Sequence, residues 1–215
     1  SNEIYKISNH KALELKKEND EIGEYFKCFD IVKTDEGTFL YAGKENTSGD
    51  GGLYIYDISS GSEARLIEYK NSVGGASINH FPVSGRICAM TCGEDNYLLF
   101  FSNDNAYYSC KINSDGTLNE SECRKFYDCG FVWMSNVQAI GEYVMVNGMS
   151  GFRVYKAENG DFTEIGRVDT KEICSAELMV SEDEISVALG LKENEGQYIE
   201  LYKSAIGKSL SFNMA

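Results

Sequence analysis

A short aromatic motif returns along this chain at steps of about 45 to 55 residues. Its copies are Leu53-Tyr54-Ile55-Tyr56-Asp57, Tyr107-Tyr108-Ser109-Cys110-Lys111, Phe152-Arg153-Val154-Tyr155-Lys156 and Tyr198-Ile199-Glu200-Leu201-Tyr202-Lys203. A fifth, Ile4-Tyr5-Lys6, lies near the start. The alignment predicts that Leu53, Tyr107, Phe152 and Tyr198 occupy equivalent places. Turn chemistry follows each long copy: Ser59-Ser60-Gly61, Asn113-Ser114-Asp115-Gly116, Glu158-Asn159-Gly160-Asp161 and Ala205-Ile206-Gly207. Asn-Gly and Asp-Gly supply the positive φ that a tight hairpin needs.

Further short strands flank each motif. Predicted strands after it span 64–69, 122–126, 163–168 and 209–214. Two sets precede it, at 26–32, 76–81, 135–140 and 175–180, then at 39–42, 86–91, 143–147 and 184–189. Some alternate apolar and polar, as in Ile185-Ser186-Val187-Ala188-Leu189, while others are apolar on both faces. That mixture suits four-stranded antiparallel sheets stacked face to face. Hardly any segment has a helical period, and the polar stretch 11–21 reads as strand plus loop.

The expected fold is therefore all-β, a β-propeller or part of one, in a single domain. Four complete blades are predicted at 26–70, 76–126, 131–170 and 173–214. The two outer strands of one more blade are predicted at 3–18. A ring must close, and an inner half for that first blade is missing from these residues. A fragment of a larger propeller, closure by a partner chain and a five-bladed ring with one thin blade all answer this. The fragment is the reading adopted.

Charge narrows the partners. The formal net charge is −14, with 34 acidic residues against 20 basic ones. Such a field repels polyphosphate and anionic lipid, so neither direct nucleic-acid binding nor membrane docking is expected. No run of eighteen apolar residues suggests a membrane span. Seven cysteines scattered through strand-like sequence read as free thiols in a reducing, intracellular compartment. The sequons at Asn46 and Asn119 point mildly the other way.

Catalytic constellations are sparse. There are two histidines, His10 and His80, too few for a zinc enzyme or a serine triad with its supporting groups. Cys88, Met90 and Cys92 share one face of a strand and form a soft stripe that packs on the next blade. Asn103-Asp104-Asn105 and Asn113-Ser114-Asp115-Gly116 lack the calcium-loop register and read as turns. The enzymatic alternative uses the propeller axis, where Asp30, Asn79, Gln138 and Glu177 stand at comparable positions. Their oxygens would hold one Ca²⁺, as in secreted hydrolases of the sugar-lactonase type. The preferred reading has no cofactor, no metal and no catalysis, with those four lining a wet channel. Tyr25, Trp133, Met134 and Phe152 are the candidate anchors of a protein interface.

One family has the same order of features. Glu24-Tyr25 leads to a strand with Cys28, then Phe39-Leu40-Tyr41-Ala42-Gly43 and a polar insertion before Leu53. Val73-Gly74-Gly75-Ala76, Gly85-Arg86-Ile87 and Gly141-Glu142-Tyr143-Val144-Met145-Val146 follow. Gly160-Asp161-Phe162-Thr163-Glu164-Ile165-Gly166-Arg167 and Ser175-Ala176-Glu177 complete the series. In this the chain resembles the third propeller of the family of damaged-DNA-binding protein 1, the large cleavage-and-polyadenylation specificity subunit and the large splicing factor 3b subunit. It departs from the family at Arg167-Val168-Asp169, where an Arg-Asp pair is common, and the resemblance covers one propeller and not the family's other two or its helical region. The resemblance implies a non-catalytic scaffold holding other subunits or peptides in an intracellular, nuclear assembly. It implies no role for any single residue. A WD40-type adaptor is the second alternative, with Tyr56-Asp57 where a Trp-Asp pair would stand.

Overall fold

A computed structural model describes residues 3–6, 11–15, 26–44, 51–61, 63–78, 87–130, 136–148, 151–170, 173–193 and 196–215. These residues form strands and turns, with no helix among them. The chain opens with β1 (Glu3–Lys6) and β2 (Lys11–Leu15). The first blade follows as β3 (Phe26–Lys33), β4 (Thr38–Lys44), β5 (Gly52–Asp57) and β6 (Glu63–Lys70). A small hairpin, β7 (Ser72–Val73) and β8 (Ala76–Ser77), leads to the second blade. That blade is β9 (Ile87–Cys92), β10 (Asp95–Phe101), β11 (Ala106–Ile112) and β12 (Leu118–Asp128). The third is β13 (Asn136–Ile140), β14 (Tyr143–Gly148), β15 (Gly151–Glu158) and β16 (Asp161–Asp169). The fourth is β17 (Ile173–Val180), β18 (Glu184–Glu193), β19 (Gly196–Ala205) and the short β20 (Asn213–Met214).

Within each blade consecutive strands pair antiparallel. The first strands pack in succession, β3 on β9, β9 on β13 and β13 on β17, which is the inner-strand arrangement of a β-propeller. The core is divided among the junctions between blades. Tyr41, Ile55, Leu98 and Phe100 fill the first junction, and Leu99, Tyr107, Val144 and Tyr155 the second. Met145, Phe152, Val187 and Leu189 fill the third. Each large apolar side chain so buried contributes roughly 1.5–3 kcal/mol. Face-to-face packing, rather than strand pairing alone, therefore holds the blades together. Two buried phenols add polar ties: Tyr41 Oη donates to Gly116 O at 2.7 Å, and Tyr107 Oη to Asn147 O at 2.6 Å. Burial pushes the Tyr41 hydroxyl well above its ordinary range, so it stays a donor.

The all-β architecture of four-stranded blades matches the expectation, and three details differ. First, β1 and β2 do not form the outer half of another blade. β2 pairs parallel with β6, Glu14 opposite Glu63 and Leu15 opposite Ala64, extending the first blade to six strands. The outermost strand of a blade offers an unpaired row of N–H and C=O groups, and pairing to it demands little of sequence.

Second, the second blade begins at Ile87, not at residue 76. Gly74 and Gly75 both have positive φ, 55° and 83°, so Val73 to Ala76 closes as a tight hairpin. The predicted second strand at 86–91 thus becomes the inner strand. The run Tyr97-Leu98-Leu99-Phe100-Phe101, buried on both faces, supplies the second strand instead. Third, the outer strand of the fourth blade covers only Asn213 and Met214 rather than 209–214.

Candidate interaction site

Strand pairing sets one residue from each of the first three strands of a blade in a row. The rows at the axis are Asp30–Tyr41–Ile55, Cys88–Leu99–Ser109, Gln138–Met145–Val154 and Glu177–Ala188–Leu201. The first residue of each of the first three rows reaches to the next inner strand. Ala89 N–H donates to Asp30 Oδ2 at 2.8 Å, and Leu178 N–H donates to Gln138 Oε1 at 2.7 Å. Between them, the Ala139 N–H bonds to the Cys88 sulfur. All three junctions thus carry the same tie: a side-chain acceptor takes the N–H one residue beyond its own counterpart. Burial pushes the Cys88 thiol up to about 12, the Asp30 charge pushing the same way, so it stays protonated.

These ties decide what the predicted axial quartet does. Asp30 spends one oxygen on Ala89 N–H and the other on Ile31 N–H, at 2.8 Å each. Gln138 Nε2 donates to Glu177 Oε2 at 2.8 Å and to Ala176 O at 3.4 Å. The oxygens therefore serve successive blade junctions rather than one shared point. Asn79 lies outside the described residues, and the place assigned to it belongs to Cys88. Among the described residues no cluster of three His, Cys, Asp or Glu is placed to hold a metal ion. Cys88, Met90 and Cys92 lie in the apolar cluster between the second and third blades.

The ties also yield a measurable outcome. Asp30→Ala and Gln138→Ala each leave an inner-strand N–H without its acceptor, an expected loss of about 1–3 kcal/mol. Glu177→Ala removes only the acceptor of an exposed hydrogen bond from the Gln138 side-chain amide. It leaves no inner-strand N–H unpaired among the described residues, so it is expected to change stability by less than about 1 kcal/mol. Urea unfolding of the three variants checks the contrast.

Of the predicted anchors, Tyr25, Trp133 and Met134 lie outside the described residues. Phe152 is not a surface anchor: it is completely buried at the third junction, edge-on to Tyr202 and Phe212. Its row, Asn136–Asn147–Phe152, has counterparts in Cys28–Gly43–Leu53, in Phe101–Tyr107 and in Ser175–Gly190–Ile199. The fourth equivalent is thus Ile199 and not Tyr198. Tyr198 pairs with Leu191 and packs toward the third blade. A slip of one residue exchanges the faces of a strand, and the motif Tyr-Ile-Glu-Leu-Tyr has apolar groups on both.

That slip exposes the feature that sequence reasoning missed. Leu53, Tyr107 and Phe152 are 1%, 0% and 0% exposed, whereas Ile199 is 80% exposed. Met179 and Glu177 share its outward face, and Ser186, Ala188 and Gly190 of β18 keep the middle of that face shallow. At the other end of the series, Phe29 and Ile31 of β3 are exposed on the face turned away from the second blade. A signal was present in the sequence: Cys28-Phe29-Asp30-Ile31-Val32 carries apolar residues on both faces, as a strand covered on two sides does.

No family model matches the chain. No curated protein matches it either. Among solved structures it is similar to a crystal structure of a protein from Lactobacillus plantarum, at 12% identity and a TM-score of 0.44. The match covers 99% of this chain and 76% of that one.

Proposed function

We propose that this chain is a non-catalytic protein-binding scaffold whose partner docks on the outward face of the fourth blade. One observation carries the reading: Ile199 is 80% exposed at a position whose counterparts are at most 1% exposed. An apolar side chain left in water where three equivalents are covered supports a face that another protein covers. Met179 is a second exposed apolar side chain at the diagonal corner of the same face, and Glu177 presents a carboxylate where each earlier blade ties itself to the next. The docked group is then a β-sheet or extended segment, its N–H meeting Glu177 and its apolar side chains meeting Ile199 and Met179.

A photo-crosslinking residue at position 199, introduced in the native cell, tests the reading. It is expected to capture one protein in high yield, whereas the same group at exposed Glu182 captures none. Ile199→Asp is expected to lower retention of that protein roughly tenfold or more, as loss of a central interface anchor does. Equal capture at both positions, or unchanged retention by Ile199→Asp, overturns it.

A further inference from the structure

Two thiols lie across one strand pair in the second blade. β11 and β12 pair antiparallel with Ser109 opposite Arg124 and Lys111 opposite Asn119, so the register breaks at Cys110 and Cys123 stands in the bulge across from it. Cys110 Sγ lies 3.3 Å from Asn119 O, and Cys123 Sγ lies 3.9 Å from Val73 O. The two sulfurs are also within hydrogen-bonding reach of each other. Cys110 is fully buried, whereas Cys123 is half-buried beside Gly74, so one thiol of the pair is accessible.

We propose that Cys110 and Cys123 are an oxidative modification site, closing to a disulfide when the folded protein meets a hydroperoxide. The Cys123 sulfur attacks the peroxide oxygen, breaking the O–O bond and giving a sulfenic acid and water. The Cys110 sulfur then attacks Sγ of Cys123; the S–O bond breaks and a second water leaves. Two thiols and one hydrogen peroxide become one disulfide and two waters, so electrons and protons balance.

The surroundings favour this order. Contact with Cys123 and burial hold the Cys110 thiol far above its ordinary value. Cys123, the more exposed of the two, is therefore the sulfur that meets the peroxide, and the buried Cys110 resolves it. A disulfide holds its two Cβ atoms about 3.5–4.5 Å apart. Closure asks β12 to adjust at the point where its pairing already breaks. The shift acts on an inter-blade contact: Glu120, in the same bulge, pairs with Lys70 of the first blade at 2.6 Å and accepts Gly74 N–H at 3.1 Å. Oxidation would thus tighten or reposition the seam between the first two blades, independently of the face that carries Ile199.

Thiol titration after hydrogen peroxide treatment of the full chain tests this. Wild type, with its seven cysteines, is expected to lose two thiols and to yield a peptide cross-linked between Cys110 and Cys123. Cys110→Ser, treated with peroxide and dimedone, is expected to carry the dimedone adduct at Cys123. Cys123→Ser is expected to form no disulfide. Retention of all seven thiols in wild type, a link between other cysteines, or no adduct at Cys123 in folded Cys110→Ser overturns the proposal.

Discussion

Phe152→Ala is expected to lower the unfolding free energy by about 3–5 kcal/mol, the usual cost of deleting a fully buried aromatic ring. The ring is completely buried where the third blade meets the fourth, with Phe212 at 5.0 Å and Tyr202 at 5.8 Å between centroids, both edge-on. The strands around it are tied by ladders on both sides, so the site cannot collapse to fill the space. Ile199→Ala, at the equivalent position of the fourth blade, is expected to change stability by no more than about 0.5 kcal/mol. Urea denaturation of both variants gives the comparison. A Phe152→Ala loss below about 1 kcal/mol, or an equal loss for Ile199→Ala, would remove the basis for treating the fourth face as uncovered.

Gly151→Ala is expected to be comparably damaging for a different reason. Gly151 opens β15 at a φ of 137°, which side-chain-bearing residues rarely adopt. A Cβ there would stand 2.0 Å from Val168 O and 3.0 Å from Asp169 Cα, both backbone of the neighbouring strand. Strain of roughly 1–3 kcal/mol adds to an overpacking cost of roughly 1–3 kcal/mol, because relief requires opening the β15–β16 ladder. Gly52 opens β5 in the same way, with its missing Cβ 2.3 Å from Lys70 O. Gly141 is the control: its φ is 59° but nothing lies within 4 Å. Gly141→Ala should cost only the left-handed strain, roughly 1–2 kcal/mol. Thermal and chemical unfolding of both variants measure the difference, and equal costs would show that the close backbone approach is not what makes Gly151 necessary.

Most of the blade plan was legible because its signals are local. Alternation places side chains by the geometry of an extended chain, and turn residues such as Asn113 to Gly116 mark where strands reverse. The errors fell where both faces of a strand are apolar. Tyr97 to Phe101 has no polar residue to fix its face, and Tyr198 and Ile199 are interchangeable by hydrophobicity alone. The site suffered most. Phe152 looked like an anchor because it is aromatic, and only the pairing of Asn147 with Phe152 and of Gly190 with Ile199 separates the covered position from the uncovered one.

The amino-acid sequence alone determined that this protein is built of short antiparallel strands in repeated groups of four, since strand period and turn conformation are set within a few residues. The tertiary structure decided which edge β2 joins, which strand lies innermost in the second blade and which face of each blade stays uncovered. Those outcomes rest on backbone hydrogen bonds and apolar contacts between distant segments. Backbone groups are alike in every residue, and apolar contact has no direction, so local sequence carries little of that choice.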